Sequence, residues 1–159
     1  MSNARNLANL LGTSTTVPSS KQPAGAVLQV KSGSIATAVN TTESTFQDSS
    51  LAVTITPSSS SNKIFVIAQF SLYAVGASTA AVGNVKRGST SLSSAVTGLG
   101  YIYNTHTQIV SNVTACVLDT PATTSATTYT VQWCQLYGGT AYLCPGSSPS
   151  VLTLMEIAG

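Results

Sequence analysis

The chain has 159 residues, 43% of them apolar and only 6% charged, and its six basic and four acidic groups give a formal net charge of +2. A soluble protein ordinarily carries roughly 25% charged residues, whereas here 24 Ser and 23 Thr supply most of the polar surface. This composition excludes a disordered polyelectrolyte, because apolar runs of this density can offset the ordering entropy. It also excludes a nucleic-acid footprint: Arg5, Lys21, Lys31, Lys63 and the Lys86-Arg87 pair form no stripe that could collect phosphates.

The first element, SNARNLANLLG, reads as a short helix. Ser2 is a good N-cap, Leu7, Leu10 and Leu11 fall on one face, and Gly12 can end it. So short a helix is marginal alone, so its leucine stripe needs a partner. Arg5, Leu7, Leu10 and Leu11 are therefore the candidate attachment residues. The stretch has one Arg and no continuous apolar region, so no signal peptide is expected, and no run approaches the ~20 apolar residues of a membrane span. Synthesis in a cytosol follows, with any exit by release of an assembled particle. The next segment, TSTTVPSSKQPAG, has no apolar period and contains Pro18 and Pro23, which makes it an extended linker. Residues 1–25 are thus an arm, and residues 26–159 the body.

The body reads as short strands at Ala26–Lys31, Ile35–Val39, Thr45–Gln47, Leu51–Thr56, Lys63–Tyr73, Ala81–Arg87, Tyr101–Val110, Val113–Asp119, Thr127–Tyr137, Thr140–Cys144 and Val151–Ile157. Pro57-Ser58, Arg87-Gly88, Pro121-Ala122, Gly138-Gly139 and Pro145-Gly146 mark turns between them. Leu51–Thr56 alternates strictly, as a half-buried strand does. Lys63–Tyr73 is apolar on both faces, which predicts cover on both sides, in a sandwich interior or at a subunit contact. With no helical segment among them, these strands predict an all-β antiparallel sandwich or jelly roll. The last strand is expected to be central or paired.

Cys116, Cys134 and Cys144 are an odd number without a CxxC, which speaks against a zinc site and a disulfide framework and for buried free thiols. If Tyr137–Thr140 closes a hairpin, a two-residue loop sets Cys134 opposite Leu143. A three-residue loop sets it opposite Cys144, where a bond could form.

TFQDSSLAVTITPSSSSNKIFVIAQFSLY, LDTPATTSATTYTVQW and VLTLMEIAG, in this order, resemble the distal domain of tail-fibre and other virion structural proteins of tailed bacteriophages, particularly phages of cyanobacteria and marine bacteria. SNARNLANLL with its Ser/Thr/Pro linker is similar to the starts of such proteins. The resemblance is best over Gly25–Gly159 and implies a trimeric C1q/TNF-like jelly roll. The long repetitive shaft of a fibre is absent, which points to a short fibre, a fibre tip or a head decoration.

Catalytic groups are sparse. His106 is the only histidine, without a GxSxG turn, and reads as a structural or binding residue. Glu43, Asp48, Asp119 and Glu156 could supply the carboxylate pair of a glycosidase, but Asp48 and Asp119 stand where an Asp can close a turn. No enzyme, metal or cofactor is expected. Aromatic faces stack on sugar rings. Tyr101 and Tyr103 share one strand face, while Trp133, Tyr137 and Tyr142 flank the Gly-Gly turn. Trp133 and Tyr129 read as core. Tyr101, Tyr103, His106, Tyr137 and Tyr142 are the ligand-binding candidates, beside the loop Gly88–Gly100. The expectation is a homotrimeric, non-enzymatic virion protein that docks on other virion proteins through its arm and recognises host glycans such as lipopolysaccharide. The alternative is a capsid decoration protein, and a third class, a polysaccharide hydrolase, lacks support.

Overall fold

The computed structural model describes residues 22–159; the expected arm helix, with Arg5, Leu7, Leu10 and Leu11, lies outside them. The described chain is all-β, two antiparallel sheets packed as a sandwich. Its strands are β1 (Val27–Ile35), β2 (Val39–Thr41), β3 (Gln47–Ile55), β4 (Lys63–Val75), β5 (Thr79–Arg87), β6 (Thr90–Ser91), β7 (Gly100–Asn104), β8 (Gln108–Asp119), β9 (Thr127–Leu136), β10 (Thr140–Leu143) and β11 (Ser150–Ile157).

The thirteen-residue β4 organises the first sheet. One edge pairs with β8 from Ile64 to Val75. The other pairs with β11 over Lys63–Gln69 and with β10 over Leu72–Val75, and these are flanked by β1 and β2. The C-terminal strand β11 is therefore central, as expected. The second sheet runs β3-β9-β5, and β5 carries β7 and the short β6 on its far edge.

The period-2 rule places the core. Ile64, Val66, Ala68, Phe70, Leu72 and Ala74 of β4 point inward with Leu152 and Leu154, and meet Leu51, Val53, Ile55, Tyr129, Val131 and Trp133 of the other sheet. The sheets approach closely at Gly83, where a Cβ would stand 2.6 Å from the Phe70 ring, so no other residue fits. The opposite face of β4 carries Phe65, Ile67 and Tyr73, only half-buried in the single chain.

Several boundaries differ from those read in the sequence. Ala26–Lys31 and the start of Ile35–Val39 form one strand, β1, because Lys31–Ile35 keeps pairing with Leu154–Ser150. Gln47 and Leu51–Ile55 belong to one strand, β3, whose irregular register between Asp48 and Ala52 hides the alternation. The break after Tyr101 falls at Thr105–Thr107, not near Ser111, so His106 sits in a turn.

Tyr137–Thr140 is not a hairpin. The chain leaves the second sheet at Leu136 and enters the first at Thr140. Three successive residues of positive φ, Tyr137, Gly138 and Gly139, carry it across. Cys134 and Cys144 consequently lie on different sheets as free thiols, and Cys116 is free and exposed rather than buried. Cys134 is covered, with Ala80, Val82 and Leu136, by Phe46, and burial pushes its thiol up to about 11.

Three of the four acids have packing roles that sequence spacing does not show. Asp119 is not a turn closer: it accepts from Arg87 at 2.7 Å and from the Tyr129 hydroxyl at 2.6 Å, tying the sheets together. Burial first, and then the Asp119 carboxylate, drive the Tyr129 phenol far above its usual range. Asp48 pairs with Lys86 and accepts from Gln132. Glu156 is fully buried, with no cation against it among the described residues. It accepts instead from Gln29 (2.6 Å), the Ser58 amide (2.6 Å) and hydroxyl (2.8 Å), and Asn62 (2.5 Å).

Burial raises the Glu156 pKa, but the hydrogen bonds from Gln29, Asn62 and Ser58 outweigh it and hold the carboxyl below its ordinary value of 4.5. A depressed folded pKa contributes stability that is present above the unfolded value and is lost as pH falls through the folded one. Glu156→Gln is expected to cost about 2–3 kcal/mol at neutral pH. It should also flatten the loss of stability below about pH 4.5. Denaturant melts of both proteins across pH check this; an unchanged acid limb contradicts it.

Candidate functional site

The five expected ligand-binding residues separate into three groups. Tyr101 and Tyr103 lie on β7, opposite Val82 and Ala80 of β5, while Ile102 between them is buried. Alternation thus turns both tyrosines onto the outer face of the second sheet, the face that also carries Ala80 and Val82. Tyr137 reaches the same place from the β9–β10 crossing. Its ring stands edge-on to that of Tyr103, at 5.9 Å between centroids and 84° between planes.

With Thr97 of the β6–β7 loop, these three tyrosines line an open hollow of about 300 Å³. All three are substantially exposed: Tyr101 50%, Tyr103 43% and Tyr137 67%. Thr97 was not singled out from the sequence. It lies in the Ser/Gly-rich loop, where one hydroxyl looks like any other until the fold brings it beside the rings.

Tyr142 lies on the other sheet, because β10 belongs there. It packs against Tyr73 at 5.2 Å and is half-buried, so it is removed from the candidate group. His106 is exposed in the β7–β8 turn, and its ring is hydrogen-bonded to the Thr105 hydroxyl at 3.1 Å. It follows β7 closely but does not line the hollow.

The ledge is held rigidly from behind. Buried Asn104 donates to the Gly76 carbonyl at 2.8 Å and accepts from the His106 amide at 2.9 Å, which fixes β7 to two turns. Gln135 donates to the Thr42 carbonyl at 2.9 Å, and its own oxygen accepts from the Gly138 amide at 2.9 Å, which fixes the segment carrying Tyr137.

Tyr137 itself has φ of 69°, the left-handed region that a side chain makes costly. An exposed tyrosine maintained in a strained conformation marks a candidate working residue rather than a packing one.

A second hollow, about 380 Å³, lies at the opposite end among Gln22, Ser58, Ser59, Ser61, Asn62, Ala158 and Gly159. It is polar, and Ser58 and Asn62 are committed to Glu156, so it offers no aromatic face. Among the described residues no group of three or more His, Cys, Asp or Glu gathers as a metal site. Comparison of the sequence with protein-family models and with curated proteins finds no match.

Tyr137→Gly is expected to leave stability unchanged or raise it by up to about 1 kcal/mol, because glycine adopts this φ freely. A melting curve checks this, and a loss above about 1 kcal/mol would show that the ring packs as core.

Proposed function

We propose that the chain is a non-enzymatic virion protein of a tailed bacteriophage, a trimeric tail fibre or fibre tip with a C1q/TNF-like jelly-roll body that recognises host-surface glycans. The observation that carries this reading is the outer face of the first sheet. Val30, Met155, Phe65 and Leu118 form one apolar row across four strands, with Ile67 and Cys116 in the next row. Val30 is 52% and Leu118 53% exposed in the single chain. Tyr142, Tyr73 and Val110 make a further row toward the other end. Within these rows stands no charged residue; Lys63 lies at the strand's end.

Two apolar areas without charge, separated by the neutral polar rows of Gln69-Thr114 and Ser71-Asn112, suit an interface. A trimer buries them around a common axis and turns the second sheet, with its tyrosine ledge, outward. Three ledges then act together, so weak single sites give firm attachment through effective concentration.

The strand order supports the jelly-roll part of the reading. The ladders β1-β11-β4-β8 and β3-β9-β5-β7 are joined by connections that pass between sheets after β2, β3, β4, β7, β8 and β9. Nested pairs of this kind belong to a jelly roll rather than a meander. The phage assignment rests on the sequence segments that resemble virion proteins. Placement of the ledge fits recognition at a distal tip: the described chain begins beside Ala158, at the Lys63 end of β4. Tyr137 lies at the Val75 end.

Labelling the protein in particles tests this directly: signal is expected at the distal tail, and signal on the head shell replaces the reading with capsid decoration. Tyr101→Ala combined with Tyr137→Gly should reduce adsorption to host cells at least about tenfold. Its melting temperature should remain within a few degrees of the parent; undiminished adsorption contradicts the receptor role.

A further inference from the structure

We infer that the tyrosine ledge takes an uncharged sugar unit, and that anionic glycans are not its ligands. This deepens the receptor reading above and rests on it. The warrant is how charge is distributed along the sandwich. The four cations among the described residues lie toward the end away from the ledge. Lys63 begins β4, Lys31 pairs across from Leu154, and Lys86 and Arg87 end β5. Lys86 and Arg87 are moreover committed to Asp48 and Asp119. Between Gly88 and Leu118 the sequence has no Asp, Glu, Lys or Arg, and between Thr120 and Met155 it has none. Glu43, whose carbonyl accepts from the Gln135 amide, is the formal charge nearest the ledge in the sheet pairing. A phosphate, uronate or carboxylated sugar would therefore meet no cation of the described residues there, and would lose its hydration without compensation.

What the ledge does offer is matched to a neutral ring. Tyr101, Tyr103 and Tyr137 present aromatic faces and edges for the C–H side of a sugar, and their phenols with the Thr97 hydroxyl provide donors and acceptors for its hydroxyls. The volume, about 300 Å³, lies at the small end of ligand pockets, ~300–1,000 Å³. A folded protein partner would need a far larger face, ~800 Å² on each side. Rigid backing by Asn104 and Gln135 lowers the ordering cost of binding. Recognition by stacking and neutral hydrogen bonds is insensitive to salt, since no ion pair is screened.

The test is binding of the full chain to an array of neutral oligosaccharides, built from glucose, galactose, rhamnose or N-acetylglucosamine, beside oligogalacturonate and phosphorylated lipopolysaccharide core. Titration of the bound glycans follows. Neutral glycans are expected to bind with an affinity that changes by no more than about twofold between about 0.05 M and about 0.5 M NaCl. Tyr101→Ala and, separately, Tyr137→Gly should each weaken it at least about tenfold. Preference for the acidic glycans, with binding that collapses in salt, overturns this inference while leaving a glycan receptor standing. Binding of neutral glycans that both variants retain overturns the ledge as the site. Failure to bind any glycan, together with normal host adsorption by both variants, overturns the receptor reading as well.

Discussion

The structure depends on β4 being apolar on both faces. Its inward residues Ile64, Val66, Phe70 and Leu72 are essentially inaccessible, and each fully buried side chain of this size contributes on the order of 1.5–3 kcal/mol. That face fixes the register of β8, β10 and β11, because a one-residue slip would move the core set to the outside. In an ordinary sandwich such a slip would expose apolar groups to water and fail at once. Here the outward set, Phe65, Ile67 and Tyr73, is also apolar, so β4 alone discriminates poorly between its two faces. Discrimination comes from its neighbours. Opposite Phe70 stands Gly83, which accepts the ring at close range, and Asp119 at the end of β8 meets Arg87 and Tyr129 only in the native register. A half-buried apolar face retained at this cost to specificity fits the proposed association.

The charges follow from the same arrangement. With the first sheet's outer rows kept free of charge, solubility and strand pairing fall to hydroxyls: Thr54 pairs with Thr128 at 2.7 Å and Ser32 with Thr153 at 2.9 Å across adjacent strands. Three of the four carboxylates, those of Asp48, Asp119 and Glu156, are structural. Glu156 joins β1, β11 and the turn before β4, and its burial among neutral donors makes it a polar staple at the end where the described chain begins. The opposite end is left with aromatics and hydroxyls, and there the ledge lies.

Much of this was legible in the sequence, for identifiable reasons. Leu51–Thr56, Lys63–Tyr73 and Val151–Ile157 carry their alternation locally, so the all-β class and the two-faced strand could be read from side-chain order alone. Tyr101 and Tyr103 could be placed on one face for the same reason, and Tyr129 and Trp133 in the core. What could not be read depends on partners distant in the chain. The Gly-Gly sequence after Tyr137 looks like a hairpin, yet sheet membership is set by β10 pairing with β4, and this separates Tyr142 from Tyr137. Asp119 reads as a turn residue until Arg87, thirty-two positions earlier, is brought against it. The continuous strand β1 is disguised by Ser32, Gly33 and Ser34, which carry no apolar alternation although each is paired with β11.

The central claim is that the outer face of β4 is a contact between subunits, and sedimentation equilibrium of the full chain at micromolar concentration tests it most directly. A mass three times the 16.2 kDa of one chain is expected, and a folded monomer for Ile67→Lys, whose charge would be stranded in the contact. A wild-type mass equal to a single chain, or a trimer indifferent to lysine at position 67, would contradict it.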